Sequence, residues 1–180
     1  MDLFGISRPV KLGLMNLRPA IPADIPFMIV LESACPTAAH WTEAQYKQAV
    51  QPDSNDPERL VLVAEASPAT EEETGQVSAG QVSRSSIVGF LVARHLASEW
   101  ELENIVVAPA SRQKGLGGQL LDALLAAARQ TDNESVFLEV RESNTAARML
   151  YEKAGFQQTG RRKSYYTNPP EDAILYRSLV

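Results

Sequence analysis

The 180-residue chain is 44% hydrophobic and 22% charged, and 17 Lys+Arg against 22 Asp+Glu leave a net charge of −5. One ordinary globular domain fits this length at about 150 residues per domain, with a core large enough to need no staple. The acidic balance argues against a surface built as a whole for nucleic acid. The single cysteine, Cys35, excludes an internal disulfide, and His40 and His95 stand at no metal-like spacing, so no metal site is expected.

Residues 1–13 mix proline, glycine and charge without periodicity and read as a tail. They hold no apolar signal-peptide stretch, and nothing in the chain approaches the roughly 18 apolar residues of a membrane span. The expectation is a cytoplasmic protein with no membrane partner. Leu14 to Pro19 alternates as a short strand. Asp24 is placed to cap a helix carrying Ile25, Met28 and Ile29, which Cys35-Pro36 ends. Thr42 caps a second helix with Tyr46, Ala49 and Val50, stopped by Pro52.

Leu60 to Ala66 is an apolar strand. Residues 67–86 are rich in Ser, Glu, Gln, Gly and Thr and read as a long flexible loop inserted between two antiparallel strands. Ile87 to Arg94 and Trp100 to Val107 are the next strands, with Pro109 closing the latter. Gly115 to Arg129 is a helix with Leu116, Leu120, Leu121, Leu124, Leu125 and Ala128 on one face. A strand over 134–141, a helix over 144–154, a strand starting at Gly155-Phe156 and a last strand from Ala173 to Leu179 complete an α+β pattern.

The segment Arg112-Gln113-Lys114-Gly115-Leu116-Gly117-Gly118 joins a strand to a helix. Free N–H groups at a helix start, together with the macrodipole, bind anionic phosphate, and glycines let a ligand approach the backbone. Arg112 and Lys114 add charge. No Gly-Lys pair exists for a Walker loop, and the sixth position from Gly115 is Leu120, which breaks a dinucleotide fingerprint. A glycine turn for close helix–strand packing explains the same residues.

With Ile105-Val106-Val107-x-Pro109 ahead of it, this Arg-x-x-Gly-x-Gly loop resembles the coenzyme-A loop of the GCN5-related N-acetyltransferases. Leu138-Glu139-Val140-Arg141-x-Ser143-Asn144, Leu150-Tyr151-x-x-x-Gly155-Phe156, Arg162, Tyr165-Tyr166 and Glu171-Asp172-Ala173 are similar to the RimI-type ribosomal-protein-alanine N-acetyltransferases in particular. His40-Trp41-Thr42-Glu43 resembles their approach to the second helix. The resemblance covers about residues 14–180. It implies a single N-acetyltransferase domain there, with 67–86 as an insertion. It also implies a central mixed, mostly antiparallel sheet of six to seven strands, flanked by helices and splayed into an acetyl-CoA cleft.

The resemblance further implies acetyl-CoA as cosubstrate and no metal. The pyrophosphate would lie on the N–H groups of Gln113, Lys114, Gly115, Leu116, Gly117 and Gly118 beside Arg112. The pantetheine arm would pair with Ile105, Val106 and Val107 and with Asn144. Glu139 would be the general base for the incoming amine and Tyr151 the general acid for the departing thiolate. Partial burial raises a carboxylate toward neutral pH, where it can take a proton from an α-amine of pKa about 7.7–8.0. The residues alone also allow a solvated strand face for Glu139, a core aromatic for Tyr151 and a helix N-cap for Asn144.

The implied acceptor is the N-terminal alanine of a small-subunit ribosomal protein, a basic partner suited to net −5, with Arg141, Tyr165, Tyr166, Glu171 and Asp172 shaping its site. Direct attack in a ternary complex is expected, since Cys35 has no histidine at a motif distance. Other protein N-termini, a small amine, a non-catalytic acetyl-CoA binder and a nucleic-acid module stand as alternatives.

Overall fold

A computed structural model describes residues 10–12, 15–54, 56–66, 87–131 and 135–180. The strands are β1 (Val10–Leu12), β2 (Met15–Pro19), β3 (Arg59–Ala66), β4 (Ile87–Leu96), β5 (Glu99–Val107), β6 (Ser135–Arg141), β7 (Gln157–Thr167) and β8 (Pro170–Leu179). The helices are α1 (Ile25–Ser33), α2 (Glu43–Val50), α3 (Leu116–Arg129) and α4 (Thr145–Lys153). The strands form one sheet in the order β1-β2-β3-β4-β5-β6-β8-β7. Every neighbouring pair is antiparallel except β5–β6, which is parallel. The expected mixed, mostly antiparallel sheet with flanking helices is therefore present.

Eight strands replace the expected six to seven. The additional strand is β1, where Val10, Lys11 and Leu12 pair with Leu17, Asn16 and Met15, inside the stretch read as a tail. The 67–86 insertion lies outside the described residues. Asp24 does not cap α1 with its side chain. Its carboxylate accepts from the Ile21 N–H at 2.8 Å and from Arg18 Nη1 at 2.7 Å, because a 3-10 turn over Pro22–Asp24 precedes the helix. Thr42 does cap α2, accepting from the Gln45 N–H at 3.3 Å.

Two apolar clusters lie on the sheet. One gathers Leu60, Leu62, Leu91, Trp100, Leu102, Val136, Leu138 and Val140 with the leucines of α3 and with Tyr151 of α4. The other gathers Val61, Val63, Phe90, Val92 and Val106 with Ile25 and Met28 of α1 and Tyr46 and Ala49 of α2. Central β3 and β4 are therefore buried on both faces, and Leu60–Ala64 reads as an unbroken apolar run for that reason.

Strand β5 changes face partway. Val92 pairs with Asn104 but Ala93 with Leu102, so Glu103 is an extra residue, a β-bulge. Before it, Trp100 and Leu102 feed the α3 cluster; after it, Val106 feeds the α1–α2 cluster. The β5–β6 ladder runs from Glu99↔Ser135 to Leu102↔Leu138 and ends there, just at the bulge. β6 continues against β8 to Arg141↔Ala173, and β5 continues against β4 to Val107↔Gly89. The parallel strands part between these partners and leave a slot through the sheet.

Candidate active site

The slot exposes one edge of β5 from Glu103 to Val107, since its β6-facing groups have lost their ladder while its other edge stays paired with β4. Unpaired N–H and C=O groups on a strand edge are a template for one further extended chain. Ile105, Val106 and Val107, expected to align the pantetheine arm, lie on this strand, with the Val107 carbonyl accepting from Arg112 rather than free. Helices α3 and α4 both start just beyond the carboxyl ends of the parallel strands, where open α/β sheets take ligands.

At the α3 start, Gln113 has φ of 60° and Gly115 of 81°, the left-handed conformation that turns the loop into the helix. No side chain caps α3. The first bond into the helix runs from the Gln119 N–H to the Gly115 carbonyl at 3.1 Å, so the N–H groups of Leu116, Gly117 and Gly118 have no helical acceptor. A Cβ built at Gly115 or Gly118 meets no atom within 4 Å. Open space over three unclaimed donors fits a phosphate group. Arg112 turns back instead: its Nε donates to the Val107 carbonyl at 3.1 Å and its Nη2 lies 3.1 Å from Cys35 Sγ. This ties the end of β5 to the segment after α1. Gly117 is tight: a Cβ there would stand 2.9 Å from Leu150 Cδ2.

Asn144 is the N-cap of α4, its Oδ1 accepting from the Ala147 N–H at 3.2 Å, which leaves its amide nitrogen to serve a ligand. Seven residues on, Tyr151 is buried against Phe156 and Tyr176, with ring centroids 6.0 and 6.2 Å away. Burial pushes its hydroxyl pKa well above the usual tyrosine value, and the nearby Tyr166 pushes it further. The group is a protonated donor at neutral pH.

Glu139 alternates with Val136, Leu138 and Val140 along β6 and stands on the opposite face from Tyr151. Tyr166 interacts electrostatically with both side chains. The Glu139 side chain is only 15% exposed and pairs with Arg162, Nη1 to Oε1, at 2.7 Å. Arg162 belongs to β7, which is separated from β6 by β8, so its side chain crosses a whole strand. Between Arg162↔Ala173 and Tyr166↔Glu171 the register shifts, and Lys163, Ser164 and Tyr165 bulge out opposite Asp172. The bulge brings the Tyr165 hydroxyl to donate to Glu139, an acceptor that raises the Tyr165 pKa. Burial pushes Tyr166 up to about 12.

Arg141 pairs with Glu171 at 3.3 Å and lies over the Tyr166 ring, 4.1 Å from its centroid. Glu171 accepts from the Ser143 N–H, and Asp172 from the Ser164 N–H at 2.7 Å and from Arg161. These contacts hold both carboxyls below the usual range. The structure thus brings Glu139, Arg141, Tyr165, Tyr166 and Glu171 together, with Arg162 added. Sequence reading gave Arg162 no role, since the contact depends on a strand order that local pattern does not encode.

A second feature escaped the sequence reading. Glu32 near the end of α1 is 2% exposed. Its Oε1 accepts from Asn104 Nδ2 at 2.6 Å and its Oε2 from the Trp41 N–H at 2.9 Å, and it also bonds the Tyr46 hydroxyl. Asn104 is the residue after the bulge, so this network joins the start of the slot to the segment between α1 and α2. The signal in the sequence is a polar residue at a buried strand position between Leu102 and Val106. Among the described residues no three His, Cys, Asp or Glu side chains gather as a metal site, and no helix is long and apolar enough to cross a membrane.

A [ribosomal protein bS18]-alanine N-acetyltransferase of Haemophilus influenzae is 38% identical over 97 residues, which is 52% of this chain and 66%, just under two thirds, of that protein. The crystal structure of the ribosomal-protein-S18-alanine N-acetyltransferase from Escherichia coli superposes with a TM-score of 0.69 at 25% identity, over 92% of this chain and 94% of that one. Arabidopsis thaliana NAA60 in complex with acetyl-CoA shares the fold, with a TM-score of 0.73 at 15% identity over 92% and 98% of the chains. The model of the acetyltransferase (GNAT) family matches residues 29–156. That span takes in α2, the bulged β5, the glycine-opened α3 and both Glu139 and Tyr151, and the chain belongs to the GNAT family.

Proposed function

We propose that the protein is an N-terminal protein acetyltransferase, moving the acetyl group of acetyl-CoA to the α-amine of an N-terminal alanine of a small-subunit ribosomal protein. The observation that carries this reading is the slot between β5 and β6, with Glu139 beside it on one face and Tyr151 on the other. The acceptor follows the name of the H. influenzae relative.

Acetyl-CoA, when bound, supplies an acetyl group activated as a thioester. The unclaimed N–H groups of Leu116, Gly117 and Gly118 hold its pyrophosphate, the edge of β5 from Ile105 to Val107, whose last carbonyl is already taken by Arg112, aligns its pantetheine arm, and the Asn144 amide adds a donor. A Glu139 carboxylate oxygen takes a proton from the acceptor ammonium, the freed amine forms the C–N bond as the C–S bond of the thioester breaks, and the second amine proton passes to water. Tyr151, kept protonated by burial, donates its hydroxyl proton to the departing sulfur. Direct attack in a ternary complex is favoured by the state of the one thiol: Cys35 is 5% exposed and lies against Arg112 and Val107. Orientation then supplies much of the acceleration.

Mass spectrometry of a peptide panel with acetyl-CoA tests this reading. The peptides share a ribosomal-protein-like sequence and begin with Ala, Ser, Gly, Met or Lys, with a free polyamine alongside. Acetylation of the α-amine of the Ala-initiated peptide is expected. Acetylation of the polyamine alone, or of no acceptor while CoA still binds, would overturn it.

A further inference from the structure

Glu139 is the carboxylate offered to the acceptor, and in the structure a cation already holds it. The Arg162 guanidinium sits 2.7 Å from Oε1. The pair is asymmetric: the Glu139 side chain is 15% exposed and that of Arg162 54%. Arg162 comes from β7, the strand at one edge of the sheet and exposed along most of its length. It crosses β8 to reach Glu139 and lies over the exposed Tyr165 ring, 5.5 Å from its centroid.

We propose that Arg162 is an exchangeable counter-ion that closes the acceptor site, and that the N-terminal ammonium of the acceptor replaces it on Glu139. This deepens the proposed function and rests on its assignment of Glu139. Taking one partner from a largely buried carboxylate is costly unless another cation arrives. An ammonium satisfies that requirement with three donors; a blocked N-terminus and an alcohol do not. The released guanidinium moves into water along an exposed strand, a small loss for a side chain already half in solvent. Selection for a charged amine is then built in before any proton moves. The rest of the cluster stays in place: Arg141 is held by Glu171 and Tyr166, and Tyr165 still donates to Glu139.

The test compares wild type, Arg162→Ala and Arg162→Lys on the Ala-initiated peptide. Without the competing cation, the acceptor KM of Arg162→Ala falls by about two- to tenfold, and kcat changes less than KM. Arg162→Lys keeps the charge and stays within about twofold of wild type. An unchanged or higher KM in Arg162→Ala, or an equal fall in Arg162→Lys, overturns the exchange.

A second arm needs no turnover. In the CoA-bound protein the ¹⁵Nε signal of Arg162, assigned by its loss in Arg162→Lys, is followed while alaninamide or N-acetylalaninamide is added. Movement with the charged amine alone supports replacement; movement with neither, or equally with both, sinks it. If wild type acetylates no peptide, the proposed function fails by itself, and the NMR titration still decides the exchange.

Discussion

A methyl group at position 117 would stand 2.9 Å from Leu150 Cδ2, so the first turn of α3 is seated directly against α4. Overpacking of this kind costs about 1–3 kcal/mol, against about 1 kcal/mol gained when alanine replaces glycine in a helix. Leu150 is half-buried and Cδ2 is its free end, so it can turn aside in part: Gly117→Ala should be close to neutral, and a larger residue destabilising. At Gly118 a Cβ meets nothing within 4 Å, so Gly118→Ala should stabilise the free protein by about 0.5–1 kcal/mol. A urea midpoint for Gly117→Ala above that of Gly118→Ala would contradict this account of the α3–α4 seat.

Glu139→Gln removes the proton acceptor and should lower kcat by about 10²–10⁴. Tyr151→Phe should cost less, because a thiol of pKa about 8.5 leaves readily as an anion. Initial rates at saturating acetyl-CoA measure both, and comparable losses would remove the distinction between the two roles.

Glu171 ties the β7–β8 hairpin to Ser143, and Asp172 ties its two strands together through Ser164 and Arg161. The native contacts lower both pKa values, chiefly through the backbone N–H groups. Unfolded carboxyls titrate near about 3.9 for Asp and 4.3 for Glu. The stability they contribute is therefore complete above those values and is lost as pH falls through the lower folded ones. Wild type should exceed Asp172→Asn in urea midpoint at pH 7, and the gap should close toward pH 3. A gap that widened on acidification would reverse the sign.

Glu32 carries three donors at once, from Asn104, Trp41 and Tyr46. Glu32→Ala leaves buried polar groups unpaired, at about 1–3 kcal/mol for each group that water cannot reach. Glu32→Gln retains one acceptor oxygen and should lose less. Denaturation curves rank the two, and an Ala variant as stable as wild type would show that the network holds nothing.

What the sequence makes legible here is local. The glycine loop, the α3 stripe, the Thr42 cap and the alternation of Glu139 with Leu138 and Val140 depend on residues a few positions apart, and each is found where periodicity and capping put it. What stays hidden depends on strand order or on a single inserted residue. Arg162 reaches Glu139 only because β8 runs between their strands. Asp24 looks like a cap until Arg18 on β2 is brought beside it. The loop 163–165 bulges because Ser164 takes a left-handed conformation, with φ of 51°, and donates to Asp172.

The extra residue at Glu103 acts as a parity switch. Upstream of it the even-numbered side chains of β5, Trp100 and Leu102, belong to the cluster under α3; downstream the even-numbered Asn104 and Val106 turn to α1 and α2. Removing Glu103 itself would close the bulge and keep Asn104 and Val106 on the α1–α2 side, whereas one residue added between Asn104 and Val106 would turn Val106 toward the leucines of α3. β5 should therefore tolerate loss of the one extra residue at 103 better than an insertion between Asn104 and Val106, which exchanges the faces of everything after it.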